Sequence, residues 1–159
     1  MPFETFLKTR KEVPILRLDR PVEEMTFTPP KRVEGDIRSV EEFNALPPNS
    51  VVNGSVWLEG KKGIKIPENL TVTGYLDLLA TDVSEVPKGL KVGGNLDLSN
   101  TPITYLPEGL KVGRSLGLAN TPITSLPEGL EVGGSLYLAG SGVASIPSDA
   151  KIKGKVYFE

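Results

Sequence analysis

The sequence predicts a mainly β fold, a repeat solenoid of about six coils of twenty residues with parallel strands and a short N-terminal capping helix. Three observations predict it: blocks recurring every twenty residues, strict alternation of apolar and polar residues within each block, and columns of Pro and of Gly or Asn that recur at fixed places. GYLDLLATDVSEVPKGLKVG starts at position 74, GNLDLSNTPITYLPEGLKVG at 94, RSLGLANTPITSLPEGLEVG at 114 and GSLYLAGSGVASIPSDAKIK at 134. Upstream, GSVWLEGKKGIKIPENLTVT from 54 departs from the frame around Gly63–Ile64, and the stretch from 35 fits with one residue deleted. Downstream, GKVYFE from 154 begins a further coil.

Each element of a coil follows from its column. Leu90, Val92, Gly94, Leu96 and Leu98 alternate with Lys91, Gly93, Asn95, Asp97 and Ser99, the period-two pattern of a strand with one buried face. Val83, Ile103, Ile123 and Val143, then Val86, Leu106, Leu126 and Ile146, add further inward columns. A single coil cannot bury these side chains, whereas stacked coils can. Pro47, Pro67, Pro87, Pro107, Pro127 and Pro147 start a turn in every coil, because proline fixes φ and lacks the N–H that a central strand needs. Two residues later stand Asn49, Asn69, Gly89, Gly109, Gly129 and Asp149, all tolerant of a left-handed backbone. Glycines 74, 93–94, 113 and 133–134 mark bends between the two halves of the strand. Ser39 and Glu42 have the spacing of a capping box and open a short helix through Ala45 that covers the N-terminal end of the stack. Residues 1–34 do not repeat and are assigned to an N-terminal arm, with 35–159 as the solenoid domain. In the arm, Phe3, Phe6 and Leu7 give an amphipathic opening, Ile15–Leu18 offers a strand, and Thr28–Lys31 reads as an extended linker. It either packs on the first coil or engages a partner or second subunit.

Composition narrows the chemistry. The 159 residues include no His and no Cys, with 18 Lys+Arg against 20 Asp+Glu. Imidazole bases, thiolate nucleophiles, disulfides and zinc knuckles are excluded, and a formal charge of −2 gives no broad footprint for nucleic acid or an anionic membrane. Lys91, Lys111 and Lys151 do form a row, but Thr71 and Glu131 break it. No apolar run has the length of a spanning helix or secretory segment, so the expected location is cytoplasmic. Neither cofactor nor metal is expected, and the chain is expected to be non-catalytic.

The motif Leu-Pro-Glu-Gly-Leu followed by Leu-x-Leu and Asn resembles the short leucine-rich repeats of bacterial effector proteins and the LPEGLxVGGxLxL repeats of phage and bacterial proteins, over positions 54 to 159. Asn100 and Asn120 stand two residues after Leu-x-Leu where the standard repeat has three, and Gly60, Ala80 and Gly140 replace Asn in other coils. A horseshoe and a straighter solenoid therefore both fit. The resemblance implies a small phage or bacterial protein that binds a cellular protein, a host or defence factor, and inhibits or recruits it; if phage-encoded, it would act in the host cytoplasm.

One column is irregular in an otherwise repetitive chain. Trp57, Asp77, Asp97, Gly117, Tyr137 and Tyr157 lie between the inward residues of Leu-x-Leu, flanked by Ser55, Tyr75, Asn95, Ser115, Ser135 and Lys155. Aromatics at both ends and two carboxylates between them have the chemistry of a protein interface, so Trp57, Tyr75, Asp77, Asp97, Tyr137 and Tyr157 are candidate partner contacts, with Phe3 and Phe6 of the arm. Stacked, Asp77 and Asp97 would repel, raise one pKa or recruit a cation such as calcium. They also define the enzymatic alternative, a carbohydrate-active solenoid. Thr81, Thr101, Thr121 and Ser141, with Ser84, Thr104 and Thr124, form hydroxyl rows that fit either ice binding or internal bonds to backbone. Lys151, Lys153 and Lys155 alternate with Ile152 and Val156 in a pattern that discourages edge pairing, while Phe158 and the last coil, or the arm, offer a route to a homodimer.

Overall fold

The computed structural model describes residues 28–159, which form a parallel β-solenoid. Its elements are β1 (Arg32–Glu34), α1 (Val40–Asn44), β2 (Val51–Asn53), β3 (Val56–Trp57), β4 (Thr71–Val72), β5 (Leu76–Asp77), β6 (Lys91–Val92) and β7 (Leu96–Asp97). They continue as β8 (Lys111–Val112), β9 (Leu116–Gly117), β10 (Glu131–Val132), β11 (Leu136–Tyr137), β12 (Lys151–Ile152) and β13 (Val156–Tyr157). One sheet runs β1-β2-β4-β6-β8-β10-β12 and the other β3-β5-β7-β9-β11-β13, with every pair parallel. From β2 onward each coil contributes one short strand to each sheet, while the first coil gives β1 to one sheet and only the Ile37 bridge to the other, and the repeat period is the register: Val72 pairs with Val92 and Leu96 with Leu116.

The ladder starts earlier than the repeat frame does. Residues 32–34, assigned to the arm on sequence, pair with 51–53, and Ile37 bridges Val56. The alternation was present at Val33, Gly35 and Ile37, but a pairing of Arg32 with Val51 makes this coil one residue short and displaces it from the frame. In this first coil α1 occupies the third side. Ser39 Oγ accepts the Glu42 N–H at 3.3 Å, as an N-cap should, yet donates its own proton to Glu41 Oε2 at 2.7 Å. The hydroxyl therefore pairs with Glu41, and the reciprocal half of the expected box through the Glu42 side chain is replaced. That bond also holds the Glu41 carboxyl below its ordinary pKa.

In later coils the third side is a seven-residue extended segment, 81–87 or 121–127, that belongs to neither sheet. Its apolar residues still point inward: Val83, Val86, Ile103, Leu106, Ile123 and Leu126 are buried beside the leucines of the two sheets. Thr81, Thr101 and Thr121 are buried too, and each Oγ1 donates to the carbonyl of Leu78, Leu98 or Leu118 at 2.6–2.8 Å. That hydroxyl row is internal, so it presents no array to solvent.

Two left-handed columns turn each coil. The expected one holds at Asn49, Asn69, Gly89, Gly109 and Gly129, with φ from 55° to 79°. Asp149 departs from it, and its carboxylate accepts the N–H of Gly129 at 2.9 Å. The second column is Gly60, Ala80, Asn100, Asn120 and Gly140. The displaced asparagines of the leucine-rich motif are thus turn residues, chosen for φ of 55–58°. The glycines at 93, 113 and 133 have a different reason: their φ is ordinary, but a Cβ at each would strike the carbonyl oxygen of Thr73, Gly93 or Gly113 in the coil before.

These two reasons for glycine separate experimentally. Gly113→Ala is expected to destabilise by about 3 kcal/mol through backbone collision, whereas Gly109→Ala, with open space but φ of 72°, is expected to lose about 1 kcal/mol. Ala80 is a β-carbon held at φ 56°, and Ala80→Asn should raise stability by roughly 1 kcal/mol, read as a higher thermal midpoint.

Candidate binding face

The outer face of the six-stranded sheet carries the irregular column in the predicted register: Trp57 pairs with Asp77, Asp77 with Asp97, Asp97 with Gly117, Gly117 with Tyr137 and Tyr137 with Tyr157. Strand alternation turns Val56, Leu76, Leu96, Leu116 and Leu136 into the core and leaves their neighbours outside. Tyr75, Tyr137 and Tyr157 are 37%, 43% and 39% exposed, and Trp57 is half-buried. Phe3 and Phe6 lie outside the described residues.

The flanking column has a structural task. Asp36 Oδ1 accepts the N–H of Ser55 at 2.8 Å, Ser55 Oγ that of Tyr75 at 3.0 Å, and Asn95 Oδ1 that of Ser115 at 2.9 Å. Ser115 and Ser135 do the same for Ser135 and Lys155, each at 3.2 Å. The corner between the two sheets is thus tied coil to coil by short polar side chains, which satisfy N–H groups that the bend takes out of the ladder. Tyr75 interrupts this series. Its ring lies at 90° to that of Trp57, with centroids 5.7 Å apart.

Trp57 is held on several sides. Its Nε1 donates to Asp36 Oδ2 at 3.2 Å, and Arg38 lies over the indole with its guanidinium carbon 5.8 Å from the ring centroid. Arg38 also reaches Asp36 Oδ2 at 3.4 Å. Sequence reasoning missed Asp36 and Arg38 because the first coil was out of frame; once Val33 and Ile37 are placed inward, Asp36 falls into the Ser/Asn column and Arg38 beside Trp57. At the far end, Tyr137 and Tyr157 stack with planes 5° apart and centroids at 4.9 Å.

Between these aromatic groups, Asp77 Oδ1 accepts the N–H of Leu79 at 3.1 Å and Asp97 Oδ1 that of Ser99 at 2.9 Å. Both carboxylates therefore form Asx turns that lead out of the strand. Asp97 also covers Gly117, where a Cβ would come within 2.7 Å of Oδ1. Among the described residues no group of three or more acidic side chains is placed to hold a metal ion.

Elsewhere the charges are mixed. Glu131 sits between Lys111 and Lys151, with 3.9 Å to each Nζ, in exposed pairs that contribute little to stability. A wide hollow of about 690 Å³ on the third side is lined by Lys65, Glu68, Asp82, Glu85, Lys88 and Tyr105 among others, while a depression of about 130 Å³ lies between Trp57, Tyr75, Asp77 and Asp97. The smaller hollow is the one that coincides with the irregular column. No described helix is long and apolar enough to cross a membrane.

The fold and this face together define the chain as a repeat β-solenoid with coils of about twenty residues and one differentiated sheet surface. No protein-family model, curated protein or solved structure matches the chain.

The Asp36 carboxyl is held below its ordinary value of 3.8, first by the backbone N–H of Ser55 and then by the indole N–H of Trp57, against an opposing effect of desolvation, with the Arg38 charge adding a lesser lowering. A depressed folded-state pKa stabilises the fold above the unfolded value and loses that contribution as pH falls through the folded one. Fluorescence of Trp57, the sole tryptophan, should therefore show an acid transition below pH 3.8, and Asp36→Asn should abolish it while the folded signal persists.

Proposed function

We propose that this chain is a non-catalytic protein-interaction module that binds its partner through the outer face of the six-stranded sheet. The interruption at Tyr75 carries the reading. Asp, Ser or Asn stands at 36, 55, 95, 115 and 135 to bond the next coil, and Tyr75 gives up that bond to place an aromatic ring against Trp57 on an exposed surface. A position that forgoes a structural bond in favour of an aromatic ring left partly exposed supports a contact with something outside the chain. Tyr and Trp are the residues on which interfaces most often depend, since they bury much area at little conformational cost. Their separation along the face, one group at 57 and 75 and another at 137 and 157, suits a partner that spans several rungs.

The repeat motif extends this reading to origin and role. Its likeness to phage and bacterial LPEGLxVGGxLxL repeats supports a small phage or bacterial protein that engages a cellular protein, a host or defence factor, and inhibits or recruits it. The place of action would then be the bacterial cytoplasm. Binding by such a module needs shape and a few anchors, and it draws on none of the chemistry that His or Cys would supply.

The test is affinity capture from a bacterial lysate with the wild type and with Trp57→Ala, Tyr137→Ala and Asp97→Ala, each first checked for an unchanged β-sheet spectrum. Trp57→Ala is expected to weaken the captured complex by about 2 kcal/mol, and Tyr105→Ala, on the third side, to leave it unchanged. Capture indifferent to all three face variants but lost with Tyr105→Ala would move the interface off this sheet.

A further inference from the structure

Trp57 separates two rungs of opposite character. On one side Arg38 lies over the indole and pairs with the Asp36 carboxylate, so the chain already holds one guanidinium between an aromatic ring and an acid. On the other side, the strand register places Asp77 beside Trp57 and Asp97 beside Asp77. The same two ingredients recur there, an aromatic wall and carboxylates, around the depression of about 130 Å³ that Trp57, Tyr75, Leu76, Asp77, Asn95 and Asp97 line. Among the described residues neither Asp77 nor Asp97 has an ion-pair partner, and each commits only Oδ1 to its own turn, which leaves both Oδ2 atoms as acceptors.

Two carboxylates on neighbouring rungs repel, and a positive charge between them relieves that repulsion. A bare metal ion suits the lining poorly, because hard cations want six or more oxygen ligands and this wall offers two carboxylates and one amide beside two aromatic rings. An ammonium group is a compact, strongly hydrated charge and gains less from a ring face. A planar guanidinium can stack against the ring of Tyr75 or Trp57 and still donate in its plane to two separate carboxylates. We infer that this depression is a guanidinium site that receives an arginine side chain of the partner protein. The identity of the ligand's owner rests on the interface reading above; the chemistry of the site does not.

The experiment uses the full chain and N-acetylarginine amide as the probe, followed by the fluorescence of Trp57 and by the single indole N–H signal in a proton–nitrogen NMR spectrum. Saturable shifts of both signals are expected with the arginine probe, none with the neutral isostere N-acetylcitrulline amide, and weaker ones with N-acetyllysine amide. Asp77→Asn and Asp97→Asn each keep an oxygen for the Asx bond, so the fold persists, and each should weaken the arginine probe by about fivefold. Equal responses to arginine and citrulline probes, a stronger response to lysine, or an arginine response unchanged in both variants would overturn the site. The lysate capture separates the two readings. Probe binding with capture indifferent to every face variant would leave the guanidinium site standing and remove the interface, whereas capture lost with Trp57→Ala and Tyr137→Ala but no saturable probe response would remove the site alone.

Discussion

Everything in this molecule depends on coils stacked at hydrogen-bonding distance. Once the N–H of Lys91 donates to the carbonyl of Leu70 and the carbonyl of Leu110 accepts from Glu131, each backbone is the template for the next. Inward residues then fall on inward residues, and left-handed turns on left-handed turns. Space between coils shrinks to the width of a backbone at the bend, and at 113 and 133 a Cβ would strike the carbonyl of the coil before, although Thr73 and Lys153 occupy the same column at its ends. The apolar columns supply the driving force, but the stacking distance decides which residues are admissible.

That rule made most of the fold legible. A chain that repeats its geometry must repeat its residue types, so alternation, proline starts and left-handed columns appear directly in the sequence. The parts that were not legible share a cause: they depend on distances between coils rather than on spacing along one. Alternation cannot reveal that Gly93 is required by the carbonyl of Thr73. A motif comparison treats Asn100 and Asn120 as a shifted ladder, when the relevant fact is a φ near 55–58°. The first coil escaped because one missing residue breaks a periodic pattern on paper while the hydrogen bonds of β1 absorb it easily.

The candidate face was legible for the same reason and incomplete for the same reason. Its column of Trp57, Asp77, Asp97, Gly117, Tyr137 and Tyr157 stood out because it is the least uniform of the outward columns, and the register carries it unchanged into three dimensions. The meaning of Tyr75 emerged only against the coil-to-coil bonds of its column. Asp36 and Arg38, hidden in the out-of-frame coil, turn Trp57 from an isolated aromatic into the centre of a braced cluster. Departure from a repeat is informative only when the reason for the repeat is known.

The third side of the coil has a consequence of its own. It belongs to neither sheet, and the two irregular coils both depart there: α1 fills it in the first, and Gly63, with φ 75°, bends it in the second, where Asn44 and Asp82 brace the backbone of Gly63 and Lys65. Two sides of the solenoid enforce a strict metre, and the third accepts syncopation. Insertions, deletions and grafted loops in proteins built this way should therefore accumulate along that one seam, leaving the differentiated sheet free to evolve by substitution alone.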